Sequence, residues 1–176
     1  VTNNILRNIG GCGVCINSSN VVVEKNDIMK AGHELILVKD GNPLIAGNRL
    51  GPNSWHKSIT VEGGVPIIER NKFENAGVLK YTDPDGRGDG VIRNNVFDSN
   101  SKLDVGCSSP AFAYNNFYGL VLVGKNCVKK TFKAQNNFWG TGDKKIIEER
   151  VVDARYDPDY RRVVYEPPLT SKVVVE

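Results

Sequence analysis

The sequence predicts an all-β fold of stacked coils, and three observations predict it. Asparagine is abundant, with 19 copies among 176 residues. Valine and isoleucine number 34 against 18 for alanine, leucine and methionine together, and β-branched residues favour strands whereas the second group favours helices. Asparagines also recur at a nearly constant spacing. Together with 18 glycines and eight prolines, these features predict short strands separated by many turns.

The asparagine repeat is the strongest signal in the chain. Each copy is preceded by an apolar residue three positions earlier and followed by another two positions later, and a third apolar stretch comes about ten residues downstream. Three short strands in each repeat of about 22 residues describe one coil of a parallel β-helix, with six to seven coils in all. We interpret the repeated residues as a structural ladder at the bends: Asn26, Asn48, Asn71, Asn95, Asn116 and Asn137.

The pattern changes after residue 139. Residues 1–139 hold the coils, and Thr141-Gly142-Asp143 provides an N-cap signal for a short helix from 144 to about 152. A turn and a strand over 162–165 follow. We therefore expect a helix-strand cap over 140–169, because open coil edges must be covered, and a tail or the start of a further domain over 170–176. No comparable cap precedes Val1, so we expect further coils upstream.

Two segments resemble a known family. Residues 91–97, VIRNNVF, are similar to the repeat of right-handed parallel β-helix proteins, and 136–140, NNFWG, resembles the way that many of these proteins close their column. The resemblance spans about residues 1–169 and implies a right-handed, single-stranded parallel β-helix. The family includes pectate-lyase-like lyases, hydrolases, epimerases, adhesins, surface proteins and periplasmic copper accessory proteins. Fold resemblance therefore leaves the function open.

Composition and charge limit the partners and the location. A net charge of +3, evenly mixed along the chain, does not indicate a nucleic-acid partner. No apolar run is long enough for a membrane span. The four cysteines, Cys12, Cys15, Cys107 and Cys127, are either two disulfides or unpaired residues buried in the coils. We expect a secreted, periplasmic or cell-surface protein.

Candidate polysaccharide contacts lie on one outward column, two positions before the asparagines. Glu69, Arg93 and Tyr114 are predicted as neighbours on successive coils, where they would bind a sugar or perform acid–base catalysis. The alternative is a surface ion pair of little energetic value. Trp55 and Tyr81 would stack on sugar rings or, equally, cover the core.

A second outward column is apolar and argues against an open sugar cleft on that face. It lies four positions before the asparagines, and its members are Val22, Leu44, Ile67, Val91 and Phe112. Such a stripe is typical of a covered surface. We expect the C-terminal segment, a partner chain or a further domain to cover it.

The two histidines indicate a possible metal site. His33 and His56 are 23 residues apart, one repeat, and Cys12 lies near the same position one coil earlier. Such a cluster would bind copper or zinc, although two stacked corner histidines are the commoner arrangement. The acidic loop 83–89 has the character of a calcium site, but Arg87 stands where a ligand is needed, which favours a solvated corner.

The sequence favours a non-catalytic module of a secreted or cell-surface protein. It would act as a rigid scaffold or as a recognition surface for polysaccharide, without a cofactor. One alternative is a polysaccharide lyase or hydrolase using Glu69 and Arg93. A second alternative is a periplasmic copper-handling protein using the two histidines.

Overall fold

The computed structural model describes residues 1–53, 57–75, 77–82 and 89–175, and short strands dominate it. One helix, α1 (Lys144–Glu149), interrupts the series of strands near its end. In chain order the strands are β1 (Ile5–Ile9), β2 (Val14–Ile16), β3 (Val22–Glu24), β4 (Asp27–Ala31), β5 (Ile36–Val38), β6 (Leu44–Ala46), β7 (Arg49–Leu50), β8 (Ile59–Val61), β9 (Ile67–Glu69), β10 (Lys72–Phe73), β11 (Val78–Tyr81), β12 (Val91–Arg93), β13 (Val96–Phe97), β14 (Lys102–Asp104), β15 (Ala111–Ala113), β16 (Asn116–Phe117), β17 (Leu120–Leu122), β18 (Thr131–Lys133), β19 (Val151–Val152) and β20 (Arg162–Val164).

The strands form three parallel sheets that run the length of the column. Sheet 1 has the order β1-β4-β7-β10-β13-β16, sheet 2 the order β2-β5-β8-β11-β14-β17-β19, and sheet 3 the order β3-β6-β9-β12-β15, while β18 pairs with β20. Neighbouring strands of a sheet come from successive coils, so the predicted parallel β-solenoid is confirmed. About five coils contribute a strand to all three sheets, which is fewer than the six to seven expected.

An asparagine ladder joins the bends between sheets 3 and 1. Each ladder residue donates from its backbone N and from Nδ2 to Oδ1 of the next one, at 2.9–3.1 Å. Nδ2 also donates to a carbonyl of the preceding coil, as from Asn71 to Ile45 O at 2.8 Å. Because buried amides require partners, these bonds fix the bend of each coil directly next to the bend of the neighbouring coil. The series is Asn4, Asn26, Asn48, Asn71, Asn95, Asn115 and Asn137.

The residue before each ladder asparagine turns the chain. Its φ lies between +55° and +62° throughout the series, at Asn3, Lys25, Gly47, Arg70, Asn94, Tyr114 and Asn136. This left-handed conformation disfavours most L-residues by roughly 1–2 kcal/mol, while glycine and asparagine tolerate it. The need for a left-handed residue beside a ladder residue explains why Asn-Asn pairs recur at three of the bends.

The prediction that Asn116 belongs to the ladder is wrong, because Asn115 takes that position. Asn95 donates to Oδ1 of Asn115, which in turn donates to Oδ1 of Asn137. Asn116 instead pairs its amide with the backbone of Val173, accepting at Oδ1 and donating from Nδ2, both at 2.8 Å. It thereby fastens the C-terminal segment to sheet 1.

Inward columns of apolar side chains fill the coils. Two positions after the ladder residues, the rings of Phe73, Phe97, Phe117 and Trp139 follow one another with centroid separations of 4.3, 5.0 and 5.4 Å. All four are at most 1% exposed. Contacts between aromatic rings stabilise a protein beyond the burial of each ring. This column therefore stabilises the end of the solenoid where the rings are largest.

The segment after the last coil packs against it. Helix α1 begins after Asp143, whose carboxylate accepts from Lys145 N at 2.9 Å. It ends at Glu149, earlier than expected, because residues 151–152 form β19 and pair with β17 of sheet 2. Ile147 and Val163 join the core cluster. Within the described ranges no helix has the length and apolar character of a membrane span.

Arg161 ties the C-terminal segment to the loop before β15 and to strand β18. Its side chain is almost fully buried and donates to Ser108 O at 2.5 Å, Thr131 O at 2.6 Å and Ser109 Oγ at 2.7 Å. Burial lowers the pKa of this guanidinium, although the carboxylate of Asp89 opposes that effect. Carbonyl oxygens therefore compensate much of the lost hydration of a buried cation.

Two substitutions distinguish a ladder asparagine, Asn71, from an asparagine outside the ladder, Asn116. Asn71→Ala removes the acceptor of two buried N–H groups of Asn48, so we expect the free energy of unfolding to fall by about 3 kcal/mol. Asn116→Ala removes only the contact with the C-terminal segment and should lower it by about 1 kcal/mol. Urea unfolding curves of both variants measure the difference. Equal losses of unfolding free energy would contradict the assignment of Asn71 to the ladder and of Asn116 to a position outside it.

The disulfides give a second stability test. Cys107 and Cys127 are joined across 20 residues, and Cys12 and Cys15 across three. Because a longer closed loop removes more entropy from the unfolded chain, the Cys107→Ser/Cys127→Ser variant should lose about 3 kcal/mol of unfolding free energy. The Cys12→Ser/Cys15→Ser variant should lose about half as much. The reverse ranking, in urea without reductant, would contradict this expectation.

Candidate functional site

The outer face of sheet 3 carries two columns of side chains in register. Strand pairing aligns one mostly apolar column, which we name the apolar stripe: Val22, Leu44, Ile67, Val91 and Ala111. It aligns a second column two residues further along each strand: Glu24, Ala46, Glu69, Arg93 and Ala113. Coils repeat every 4.8 Å or so, so neighbours in a column are close enough to interact.

Glu69 and Arg93 lie side by side in the second column. Arg93 Nε donates to Glu69 Oε2 at 2.8 Å, and Arg70 Nη1 contacts Glu69 Oε1 at 2.5 Å. Both carboxylate oxygens are therefore engaged, and Glu69 is only 5% exposed although the face is open. An acid or base must reach the proton that it transfers, and in this arrangement the carboxylate is shielded by two guanidinium groups.

Tyr114 does not lie in the column of Glu69 and Arg93, as the sequence predicted. Ala113 pairs with Arg93 instead, because the ladder residue is Asn115. Tyr114 occupies the left-handed position with φ +59°, and its side chain is 52% exposed. It belongs to a row of bend residues along the border of sheet 3.

We name this row the bend ridge. Its backbone groups are linked from coil to coil: Asn94 N donates to Tyr114 O at 3.0 Å, and Tyr114 N donates to Asn136 O at 2.7 Å. The ridge thus presents one residue per coil in a fixed order, with a side chain on every coil except that of Gly47. Its members are Lys25, Gly47, Arg70, Asn94, Tyr114 and Asn136. In the sequence, the ridge corresponds to the residue directly before each ladder asparagine. The two predicted outward columns, two and four positions before the asparagines, do not include it.

Phe112 is not part of the apolar stripe, and Ala111 takes the predicted place. Phe112 pairs with Ile92, is 3% exposed and meets Phe117 edge-on at 5.8 Å. The error follows from the one-residue shift of the ladder, since a shift of one residue exchanges the two faces of a strand. The stripe remains open, with Val22 43% and Ile67 38% exposed.

A shallow cavity continues the stripe beyond its last member. It has a volume of about 350 Å³ and lies between residues 109–111, where β15 begins, and residues 129–133, which include β18. Pro110, Ala111 and Phe132 contribute apolar atoms, whereas Lys129 and Lys133 are basic. No pattern in the sequence indicates this cavity, because it arises where the chain leaves the register of sheet 3.

Tyr81 lies inside the solenoid and cannot stack on a sugar from there. It is 2% exposed, and its hydroxyl has no hydrogen-bond partner in the described structure. Burial raises the pKa of its phenol, and the carboxylate of Asp89 raises it further. Of its two predicted roles, the structure places Tyr81 in the core. Trp55, the other predicted sugar contact, lies outside the described residues.

The predicted metal ligands are not assembled in the part of the chain that the structure describes. His33 N donates to Gly11 O, so Gly11 rather than Cys12 is in register with His33. The sulfur of Cys12 is bonded to Cys15. His56 lies outside the described residues, as does most of the acidic loop, 83–88. No group of three or more metal-binding side chains occurs among the described residues. Copper, zinc and calcium binding stay predictions.

Comparison with known proteins agrees with the fold and adds no activity. A family model described as "Right handed beta helix region" matches residues 1–151. That span includes all three sheets of the solenoid and ends within the segment that packs against the last coil. No curated protein and no solved structure matches this chain.

The buried hydroxyl of Tyr81 gives a test of its core position. Tyr81→Phe removes a buried polar atom that has no hydrogen-bond partner among the described residues, so we expect the free energy of unfolding to rise by about 1 kcal/mol. Tyr165→Phe is the matched control, because the Tyr165 hydroxyl donates to Glu148 Oε1 at 3.1 Å. The free energy of unfolding of Tyr165→Phe should fall by about 1 kcal/mol. Urea unfolding measures both, and destabilisation of Tyr81→Phe would contradict the assignment.

Proposed function

The chain belongs to the right-handed beta-helix family, and from that premise we propose that it is a non-catalytic recognition module that binds polysaccharide along the bend ridge. The observation that carries the proposal is the exposure of Tyr114, whose backbone is hydrogen-bonded to Asn94 and Asn136 on the neighbouring coils. The rest of the solenoid acts as the rigid scaffold that spaces these groups.

The chemistry of the ridge suits a polymer of sugars. An exposed phenol offers an apolar ring with a polar tip, and amides both donate and accept hydrogen bonds. The guanidinium of Arg70 adds a donor for hydroxyl or carboxylate groups. The repeat of about 4.8 Å per coil is close to the length of one sugar unit, so successive coils meet successive units of an extended chain.

The arrangement of Glu69 supports binding over catalysis. A glycosidase requires a carboxylic acid and a second carboxylate that both reach the scissile bond. Glu69 is held by Arg70 and Arg93 and is almost inaccessible. An enzyme that uses Glu69 and Arg93 would first have to break this ion-pair cluster.

The disulfides support the proposed location outside the cytosol. Both pairs, Cys12–Cys15 and Cys107–Cys127, are joined, and the described residues include no free cysteine. Disulfides persist in oxidising compartments. A secreted, periplasmic or cell-surface module would meet polysaccharide there.

A single substitution on the ridge tests the proposal. Tyr114→Asn removes the ring and supplies a residue that tolerates the left-handed backbone. We expect it to weaken polysaccharide binding about tenfold, which corresponds to about 1.4 kcal/mol. The polysaccharides bound by the unaltered protein are first identified on a glycan array, and their affinities are then measured by titration calorimetry.

The control is another exposed tyrosine away from the ridge. Tyr156 is 82% exposed in the C-terminal segment, so Tyr156→Asn should leave the affinity unchanged. Equal effects of the two variants, or no binding on the array, would reject the ridge as the site. Shortening of the bound polysaccharide, lost in Glu69→Gln, would establish the enzymatic alternative instead.

A further inference from the structure

We propose that Arg70 and Arg93 bind an anionic group, a carboxylate or a sulfate ester, of the polysaccharide chain. This inference rests on the proposed function and adds to it the chemical class of the ligand. We name these two residues the arginine pair. They lie where the second column of sheet 3 meets the bend ridge, and both contact the carboxylate of Glu69.

The exposed part of this cluster is cationic. The side chains of Arg70 and Arg93 are 39% and 50% exposed, whereas Glu69 is buried beneath them. Among the described residues, Glu69 is the only carboxylate within ion-pair distance of either arginine. Two guanidinium groups therefore share one carboxylate, and one positive charge is left uncompensated at the surface. A ligand group of opposite charge would compensate it.

Unused hydrogen-bond donors remain on the arginine pair. Arg93 donates to Glu69 from Nε, and Arg70 contacts Glu69 through Nη1. The described residues supply no acceptor to Nη1 or Nη2 of Arg93, so the tip of this guanidinium is left for a ligand. Such a tip binds an oxyanion through two parallel N–H···O bonds, which are stronger than hydrogen bonds between neutral groups.

Small residues leave space beside the arginine pair. In the second column, Ala46 pairs with Glu69 on one side, and Ala113 pairs with Arg93 on the other. On the ridge, Gly47 occupies the coil before Arg70. The coil before the pair thus carries no side chain larger than a methyl group at either position. A ligand group can therefore approach the guanidinium groups from solvent.

The buried carboxylate holds the arginine pair in place. Glu69 accepts from Arg93 Nε at 2.8 Å with one oxygen and contacts Arg70 with the other. Its strand, β9, is paired on both sides, with β6 and β12. Because these side chains are already ordered, binding costs less side-chain entropy. Glu69 is thus a positioning residue, but its negative charge also opposes the binding of an anion.

The arginine pair lies within reach of a polysaccharide that contacts Tyr114. Arg93 and Arg70 lie one and two coils before Tyr114. With coils repeating at about 4.8 Å, these steps place them about 5 and 10 Å from Tyr114 along the solenoid axis. A chain whose sugar ring stacks on Tyr114 therefore brings a neighbouring sugar to the pair. An acidic sugar at that place gains charge-assisted hydrogen bonds.

Three dextrans with one backbone and one chain length test the class of ligand: unmodified dextran, carboxymethyl dextran and dextran sulfate. In titration calorimetry, an anionic dextran should bind the purified chain at least about fivefold more tightly than dextran. Added salt should reduce this difference, because it screens exposed charges. The more tightly bound anionic polymer identifies the preferred group. Equal affinity for all three, or no binding of either anionic dextran, would overturn the proposal.

Removal of one guanidinium should weaken binding at this site only. Arg93→Gln should lower the affinity for the preferred anionic dextran about fivefold. Arg49→Gln is the matched control, because Arg49 is nearly as exposed and pairs with Asp27 and Glu74 on sheet 1. It changes the net charge by the same amount and should leave the affinity unchanged. Equal losses in both variants would reject the site in favour of attraction to the net charge.

Removal of the buried negative charge should have the opposite effect. Glu69→Gln keeps the shape of the side chain, and loss of a charge about 7 Å from the bound anion should raise the affinity about threefold. Glu74→Gln, the matched control on sheet 1, should leave it unchanged. Partial unfolding cannot raise the affinity, so this variant remains decisive where Arg93→Gln is destabilised. An unchanged or lower affinity of Glu69→Gln, with a native circular dichroism spectrum, would contradict the proposal.

Tyr114→Asn separates this inference from the proposed function. If the ridge binds sugar rings, Tyr114→Asn weakens the binding of neutral and anionic polysaccharides alike. Effects of Arg93→Gln and Glu69→Gln without an effect of Tyr114→Asn would support the anion site and reject the ridge. The reverse result, with only Tyr114→Asn effective, would support the ridge and reject the anion site.

Discussion

The hydrogen bonds between successive ladder asparagines are the constraint on which the rest of the structure depends. Each Oδ1 must lie under two N–H donors of the neighbouring coil, at 2.9–3.1 Å. This fixes the height and rotation of each bend relative to the next. A slip of one residue would leave buried amides unpaired, and it would also turn the apolar core outward. The ladder therefore sets both the coil spacing and the strand register.

The surface columns are consequences of the same constraint. Since the residue before each ladder asparagine is left-handed at every bend, one residue per coil is presented along the border of sheet 3. Since the strands are held in register, the stripe forms one continuous column on the other border. A solenoid recognises partners by such repetition along its length, and it needs no convergence of loops from different parts of the chain.

The sequence predicted the solenoid well because its signal is periodic. Five of the six predicted ladder positions lie in the observed ladder, and they follow from spacing and from the apolar residues on either side. The sixth failed at Tyr114-Asn115-Asn116, where a tyrosine holds the left-handed position that asparagine holds at Asn94 and Asn136. Two adjacent asparagines then offered two registers. The apolar residue two positions later does not decide between them, because Phe117 and Tyr118 are both aromatic.

That single shift explains most of the errors at the candidate site. It moved Tyr114 into the column of Glu69 and placed Phe112 on the stripe. Other features had no sequence signal at all. The burial of Glu69 depends on how two arginine side chains fold over it, and the cavity beyond β15 depends on where the chain leaves the sheet. Both are products of side-chain packing, which spacing cannot encode.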